Sequence, residues 1–137
     1  MQSENQVPNN NAKSSAAPLV CIVDDDASMA DSTRFLVRSF GFRAEAFFSA
    51  QEFLDSGLVE ETRCLVLILD LRLPGMGGLE LQRNLESANQ RIPIIFVSAR
   101  ASEDERKQAI AGGALDFLSK PFSEDALLNA IQAALNR

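Results

Sequence analysis

The chain has no histidine, no tryptophan and no tyrosine among its 137 residues. The lack of histidine excludes catalysis by an imidazole base and most transition-metal sites, which depend on imidazole ligands. No apolar stretch approaches the ~20 residues that a membrane-spanning helix needs. The first residues, MQSENQ, have neither the basic start nor the apolar stretch of a secretory signal. We therefore expect a cytoplasmic protein that does not enter the membrane.

Positive charge and cysteine are also scarce. The formal net charge of -6 argues against a general nucleic-acid or membrane-surface binder, because phosphate backbones and anionic lipids repel an acidic protein. The two cysteines, Cys21 and Cys64, both lie beside apolar residues. They could form a disulfide, but two buried free thiols in a reducing compartment are favoured, since a buried cysteine acts as a small apolar residue.

The length of the chain suits one domain with a proper core. Residues 1–17 are rich in Asn, Ser, Gln and Ala and show no apolar periodicity. Such a segment buries too little surface to offset the entropy of ordering it, so we expect a flexible N-terminal tail. The domain is then predicted to comprise residues 18–137.

Within this domain, short apolar runs alternate with amphipathic stretches. The predicted strands are 19–23, 43–48, 64–69, 93–97 and 115–119, and each is followed by a helical pattern. Capping residues mark several helix starts, namely Asp26, Ser49, Ser102 and Ser123. This (βα)5 pattern predicts an α/β fold with a doubly wound parallel five-stranded sheet and right-handed crossovers. The strand order 2-1-3-4-5, called flavodoxin-like, is the known arrangement for open sheets of this size.

Polar residues follow four of the predicted strands. The residues at these strand ends are Asp24, Asp25, Asp26, Asp70, Ser98 and Lys120. Taken singly, they have ordinary explanations: Asp26 is expected to cap the next helix, and a lone serine or lysine is common in loops. However, the C-terminal ends of parallel strands share one edge of the sheet, where ligands bind in such folds. The joint placement therefore favours a site.

The clustered carboxylates require a positive partner. Two like charges ~4 Å apart repel by ~4 kcal/mol at an effective dielectric constant of ~20, and one lysine cannot neutralise three of them. A hard divalent cation such as Mg²⁺ binds oxygen ligands of this kind. A metal, a lysine and a hydroxyl around a nucleophilic carboxylate suit phosphoryl transfer.

Together, these motifs resemble those of a known protein family. Residues 19–135 resemble the receiver domain of bacterial two-component response regulators through four segments: IVDDD (22–26), LILDLRLPGMGGLEL (67–81), PIIFVSA (93–99) and GGALDFLSKPF (112–122). The last segment and PGMGGLELQ are most similar to nitrogen-fixation and nitrate-type regulators, whose receivers usually precede a LuxR-type helix-turn-helix domain. The resemblance implies a phosphorylation-dependent signalling switch. Its expected output is transcription, through a DNA-binding domain not present in this chain.

The resemblance assigns a role to each residue of the acidic site. Asp70 corresponds to the phosphoacceptor, which takes a phosphoryl group from a sensor histidine kinase. Mg²⁺ or Mn²⁺ would be bound by Asp25 and Asp70, by Asp24 through water and by the backbone carbonyl of Arg72. No enzymatic turnover is implied beyond self-catalysed transfer to Asp70 and slow hydrolysis of the resulting acyl phosphate.

It also implies how the signal would leave the site. Ser98 occupies the position of the switch hydroxyl, Lys120 would pair with a phosphoryl oxygen, and Phe117 is the switch aromatic, inward in one state and outward in the other. A cis Lys120–Pro121 peptide bond is expected. Through the fourth predicted helix and the fifth strand, a second copy could dock upon phosphorylation, at the candidate output positions Arg106, Ile110, Ala111 and Phe117.

Several alternatives remain open. A haloacid-type phosphatase also has an aspartate nucleophile after a strand, but its second aspartate is here Arg72. A flavin carrier of similar topology would need a phosphate-binding loop after the first strand and an aromatic ring to stack on the flavin. A catalytically inert interaction domain is the third alternative. The sequence suits both a stand-alone receiver and part of a longer regulator, and Arg72 and Arg100 are expected to modulate hydrolysis of the acyl phosphate in a direction that the sequence leaves open.

Overall fold

The computed structural model describes residues 17–61 and 65–136. Its strands are β1 (Leu19–Val23), β2 (Arg43–Phe47), β3 (Leu65–Asp70), β4 (Ile94–Ser98) and β5 (Asp116–Ser119). They form one parallel sheet in the order β2-β1-β3-β4-β5. The predicted fold class and strand order are therefore confirmed, with strand limits correct to within one residue. The predicted tail, apart from Ala17, and Cys64 lie outside the described residues.

Within the described residues, six helices connect and flank these strands. They are α1 (Ala27–Ser39), α2 (Ala50–Asp55), α3 (Leu58–Glu61), α4 (Gly78–Ser87), α5 (Glu103–Ala111) and α6 (Glu124–Leu135). Five of them match the predicted helices, so that α5 is the fourth predicted helix. The additional single turn, α3, was not predicted, because Gly57 was read only as the end of the preceding helix. None of the helices within 17–61 and 65–136 has the length and apolar character needed to cross a membrane.

Side-chain caps fix where most helices begin. The Asp26 carboxylate accepts the N–H of Met29 at 3.2 Å, so its predicted capping role is confirmed. At α5, Ser102 and Glu105 form the complete reciprocal capping box that the sequence predicts. Ser123 caps α6 through its side-chain oxygen, which accepts the N–H of Ala126 at 3.0 Å. Such a cap contributes ~1 kcal/mol and sets the register of the first helical turn.

The capping box predicted at α2 forms only in part. Ser49 accepts the N–H of Glu52 at 3.0 Å, as expected. The carboxylate of Glu52, however, accepts the N–H of Phe48 at 2.6 Å instead of that of Ser49. The helix therefore begins where predicted, but its second cap bond lies one residue earlier in the chain.

The three central strands, β1, β3 and β4, are buried on both faces, because successive residues point to opposite sides and helices pack against each side. One core lies between the sheet and helices α2 to α5 and includes Cys21, Phe53, Leu69, Leu81 and Phe96. The other lies against α1 and α6 and includes Ile22, Val37, Ile68, Ile95 and Leu127. Burying each large apolar side chain contributes ~1.5–3 kcal/mol, which explains the uninterrupted apolar runs of the central strands.

Cys21 is a buried free thiol, as predicted, and burial raises its pKa to about 12.

Candidate active site

The C-terminal ends of β1, β3 and β5 bring four of the predicted site residues together. Asp24, Asp25 and Asp70 each place a carboxylate oxygen within 4.8 Å of the others. The Lys120 Nζ donates to Asp24 Oδ2 at 2.9 Å and to Asp70 Oδ2 at 3.1 Å. Since β1 and β3 are paired in parallel, the residues that follow them are neighbours in space. One ammonium therefore bridges two carboxylates that lie 46 residues apart in sequence.

The backbone orients the two buried carboxylates. Asp24 Oδ1 accepts the N–H of Asp26 at 3.0 Å, and Asp70 Oδ1 accepts the N–H of Arg72 at 3.1 Å. With Lys120 on their second oxygens, both groups have defined orientations. Asp25, in contrast, is exposed. Its carboxylate is thus the one of the three that solvent, or an ion arriving from solvent, reaches directly.

Burial and charge shift the pKa values of Asp70 and Lys120. Burial raises the pKa of Asp70, and the nearby charge of Asp24 adds to the increase. Hydrogen bonds from Lys120 and from the Arg72 N–H lower it only in part, so the pKa stays above its usual value. Burial alone would lower the pKa of Lys120, but its bonds to Asp24 and Asp70 outweigh this effect and raise it. Lys120 is therefore a permanent cation at neutral pH.

The donor set fits a divalent cation. Three carboxylates and one ammonium leave a formal charge of two negatives within a few ångströms. Carboxylate oxygens without imidazole or thiolate ligands select hard ions such as Mg²⁺ or Mn²⁺. The acidic cluster could therefore hold such an ion, and the two positive charges of the ion would balance the two net negative charges of the cluster.

Ser98 lies at the end of β4, next to this cluster, and is buried. Its hydroxyl donates to the Arg100 carbonyl at 2.5 Å and accepts the Arg100 N–H at 3.1 Å. Across the part of the chain that the structure describes, no hydrogen bond joins Ser98 to Asp70. The hydroxyl is thus engaged within its own loop, and its role as a switch stays a prediction.

Phe117 occupies the inward position of the two that were expected. Its ring is buried and stacks on Phe96, with ring centroids 5.9 Å apart and an interplanar angle of 24°. Arg106 covers the ring, its Cζ 4.7 Å from the ring centroid. Of the candidate output positions, Ile110 and Ala111 are exposed, whereas Phe117 is not. In this conformation the stacked Phe117 ring is covered, and its contribution to an output surface stays a prediction.

Two features near Asp70 were missed in the sequence. The Arg72 side chain forms an ion pair with Glu105 of α5, with Nη2 and Oε1 2.7 Å apart. At Gly78, an added Cβ would lie 2.6 Å from the Asp70 carbonyl oxygen. The adjacent Gly77 has an ordinary φ of -78° and serves as the N-cap position of α4. The glycine pair in the sequence was the available signal, but it does not say which glycine is constrained.

The expected cis Lys120–Pro121 bond is present. It directly follows the lysine that contacts both buried carboxylates. This bond was implied by the family resemblance, since the sequence around a proline does not determine its isomer.

Comparison with known proteins gives consistent matches. The response regulator receiver domain family matches residues 20–132. The response regulator protein TodT of Pseudomonas putida is 44% identical over 122 residues, which are 89% of this chain and 53% of TodT. Nodulation protein W of Bradyrhizobium diazoefficiens is 45% identical over 125 residues, which are 91% of this chain and 54% of that protein. The chain thus spans about half the length of these curated relatives.

Solved structures show the same fold. The response regulator StyR superposes with a TM-score of 0.81 at 43% identity, over 88% of this chain and 60% of that chain. The structure named FixJ-N superposes with a TM-score of 0.80 at 34% identity, over 88% of this chain and 94% of that chain. The residues matched by the family, 20–132, include every strand end that contributes to the acidic cluster.

Proposed function

Because the chain belongs to the response regulator receiver domain family, we propose that it is a phosphorylation-dependent switch in which Asp70 accepts a phosphoryl group from a sensor histidine kinase. The observation that carries the proposal is the contact of one ammonium, Lys120, with both Asp24 and Asp70 beside the exposed Asp25. Two-component systems pair such a receiver with a kinase, and the relatives include the transcriptional regulatory protein FixJ of Bradyrhizobium diazoefficiens, which supports transcription as the output.

In the proposed transfer, an Asp70 carboxylate oxygen attacks the phosphorus of a phosphohistidine. The new O–P bond forms as the N–P bond breaks, and the electron pair of that bond stays on the imidazole nitrogen of the kinase. Lys120 already lies against Asp70 Oδ2, so its charge can stabilise the transferring oxygens without rearrangement. The Arg72 N–H keeps the other carboxylate oxygen oriented.

A divalent cation would complete the site. We propose that Asp25, Asp70 and the Arg72 carbonyl bind it directly, and that Asp24 does so through water. The indirect role of Asp24 follows the family resemblance, because the oxygens of Asp24 and those of Asp70 all accept hydrogen bonds already. When bound, Mg²⁺ or Mn²⁺ would neutralise charge on the phosphoryl oxygens.

Phosphorylation is proposed to shift a population of conformations. The phosphoryl oxygens would attract the Ser98 hydroxyl away from its bonds with Arg100. Since the Phe117 ring is already inward, the phosphoryl group would stabilise this ring position instead of creating it. The exposed surface of α5 and of the residue before β5, with Ile110 50% exposed and Leu115 38% exposed, would then change its contacts with a second copy or an output domain.

Multiple turnover on phosphate esters is not part of this proposal. A phosphatase of the haloacid type needs an acid two residues after its nucleophile, and here Arg72 stands at that position and pairs with Glu105. Sustained release of phosphate from an ester such as p-nitrophenyl phosphate would favour that rival function.

Replacing Asp70 by Asn tests the proposed function. We expect D70N to lose the acid-labile phosphate that the unaltered chain acquires from acetyl phosphate with Mg²⁺ or from a histidine kinase, because the amide is not a nucleophile. Phosphate would be measured by radiolabel or intact mass before and after acid treatment.

The matched control is D55N, which removes an exposed carboxylate at the end of α2. D55N should acquire phosphate like the unaltered chain. Undiminished uptake by D70N would refute the assignment of Asp70.

A further inference from the structure

The Arg72 side chain connects helix α5 with the acceptor loop, which comprises residues 71–77 between β3 and α4. Its backbone N–H donates to Asp70 Oδ1, so the side chain starts directly beside the acceptor carboxylate. Its guanidinium nevertheless pairs with Glu105, 33 residues further along the chain, at 2.7 Å. The Arg72 side chain is 59% exposed, and the Glu105 side chain is 24% exposed.

Glu105 is fixed by more than this ion pair. The same Oε1 accepts the N–H of Ser102 at 2.9 Å, and the Ser102 hydroxyl accepts the Glu105 N–H at 3.0 Å. The carboxylate therefore has a defined orientation before Arg72 reaches it. Moving Arg72 away would leave the capping box intact, since the two interactions use different donors.

The first turn of α5 also contacts the switch aromatic. Arg106, the residue after Glu105, covers the ring of Phe117. Two consecutive residues of one helical turn thus contact the acceptor loop on one side and the buried ring on the other. Ser102 lies only two residues after Arg100, the partner of the Ser98 hydroxyl.

We propose that Glu105 is a positioning residue for the acceptor site, and that it competes with a phosphoryl group on Asp70 for the guanidinium of Arg72. This inference rests on the proposed function above. A phosphoryl group carries nearly two negative charges and three acceptor oxygens, whereas Glu105 carries one charge. Because an exposed ion pair is weak, a phosphoryl group beside the arginine can take it from Glu105.

The competition has a defined consequence for α5. While Arg72 pairs with Glu105, the first turn of α5 is linked to the acceptor loop in the arrangement seen here. Once Arg72 turns to the phosphoryl group, that link is lost and the turn carrying Arg106 can shift relative to Phe117. The intact ion pair therefore opposes phosphorylation, and its loss transmits the phosphorylation of Asp70 to α5.

The test uses beryllofluoride with Mg²⁺, because a beryllofluoride group on an aspartate stands in for the phosphoryl group with a similar shape and charge. Its apparent affinity for the chain can be measured by titration, followed through amide resonances in nuclear magnetic resonance spectra. We expect E105Q to bind beryllofluoride two- to fivefold more tightly, since glutamine keeps an oxygen for the Ser102 N–H but no longer competes for Arg72 by charge. This range corresponds to a surface ion pair of ordinary strength.

E103Q is the matched control, because Glu103 lies in the same helical turn and is exposed. It should leave the affinity unchanged. In the R72Q background, E105Q should have no further effect, which a purely structural role of Glu105 would not produce.

Three results would overturn the inference: equal affinities of E105Q and the unaltered chain, an equal gain in E103Q, or an undiminished effect of E105Q in the R72Q background. These outcomes differ from a failure of the proposed function, in which the unaltered chain would itself bind no beryllofluoride with Mg²⁺.

Discussion

Asp70 is a carboxylate whose surroundings disfavour its charge. Burial raises its pKa, and the cation and N–H that contact it compensate only in part. A buried nucleophile with a neighbouring lysine suits phosphoryl transfer, but an acid with a raised pKa also opposes folding once it ionises. Residues placed for chemistry often reduce stability in this way.

This conflict predicts that D70N is more stable than the unaltered chain at pH 7 without divalent metal. The native Asp70 binds its proton more tightly than the unfolded one. The stability of the unaltered chain therefore falls as pH rises from the ordinary aspartate pKa through the raised one. The advantage of D70N should thus be present at pH 7 and shrink as the pH is lowered through this window. Urea unfolding in EDTA at several pH values measures it.

E86Q serves as the control, because Glu86 is an exposed carboxylate on α4. Its replacement should leave the pH dependence of stability unchanged. A D70N variant less stable than the unaltered chain at pH 7 would show that the attraction of Lys120 outweighs the burial of Asp70.

At the scale of elements, α4 packs so closely against β3, the strand that ends at Asp70, that its first residue, Gly78, has no space for a side chain. A Cβ on Gly78 would lie 2.6 Å from the Asp70 carbonyl oxygen, 3.0 Å from the Leu71 Cα and 3.1 Å from Phe96 Cε1. Two of these three atoms belong to the backbone, which cannot rotate away. The glycine therefore sets how closely α4 approaches β3.

We expect G78A to lower the free energy of unfolding by about 1–2 kcal/mol. Alanine favours a helix over glycine by ~1 kcal/mol, whereas forcing an additional carbon into a packed core costs ~1–3 kcal/mol. Because the nearest atom is a backbone oxygen only 2.6 Å away, the cost of the overlap is expected to exceed the gain in helix propensity. Chemical denaturation gives the difference.

G77A is the matched control for this prediction. A Cβ at Gly77 would meet its nearest atom, the Leu71 carbonyl oxygen, at an ordinary 3.9 Å. Its stability should fall by less than that of G78A, by about 0.5–1 kcal/mol, because alanine is a poorer N-cap residue than glycine but meets no steric overlap here. Equal losses in G77A and G78A would contradict the steric explanation.

Elements were predictable where a local pattern determines them. The strands follow from apolar runs, and Asp26, Ser102 and Ser123 mark helix starts through bonds within one turn. Helix α3 was missed because its four residues show too little periodicity to separate it from a loop. The strand order came from known sheets of this size, since local patterns do not determine which strands pair.

At the scale of the whole molecule, the site was predictable to the extent that the sheet determines it. Parallel strands bring their C-terminal ends to one edge, so the proximity of Asp24, Asp70 and Lys120 followed from the element order together with the strand order known for such sheets. The ion pair of Arg72 with Glu105 did not, because it depends on how α5 packs beside the acceptor loop. The inward position of Phe117 likewise depends on tertiary packing.

The charge of the assembled site leads to a prediction for the entire fold. The acidic cluster exists only when β1 and β3 are paired, so a divalent cation bound there stabilises the folded chain over the unfolded one. At a free Mg²⁺ concentration 100-fold above its dissociation constant, the gain is about 2.7 kcal/mol, which raises the melting temperature by several degrees. The increase is expected in Mg²⁺ and absent in NaCl of equal ionic strength, as measured by thermal unfolding. D25N should lose most of it, because Asp25 is the exposed carboxylate of the cluster, and D55N should retain it. An identical increase in D25N would place the cation elsewhere on the molecule.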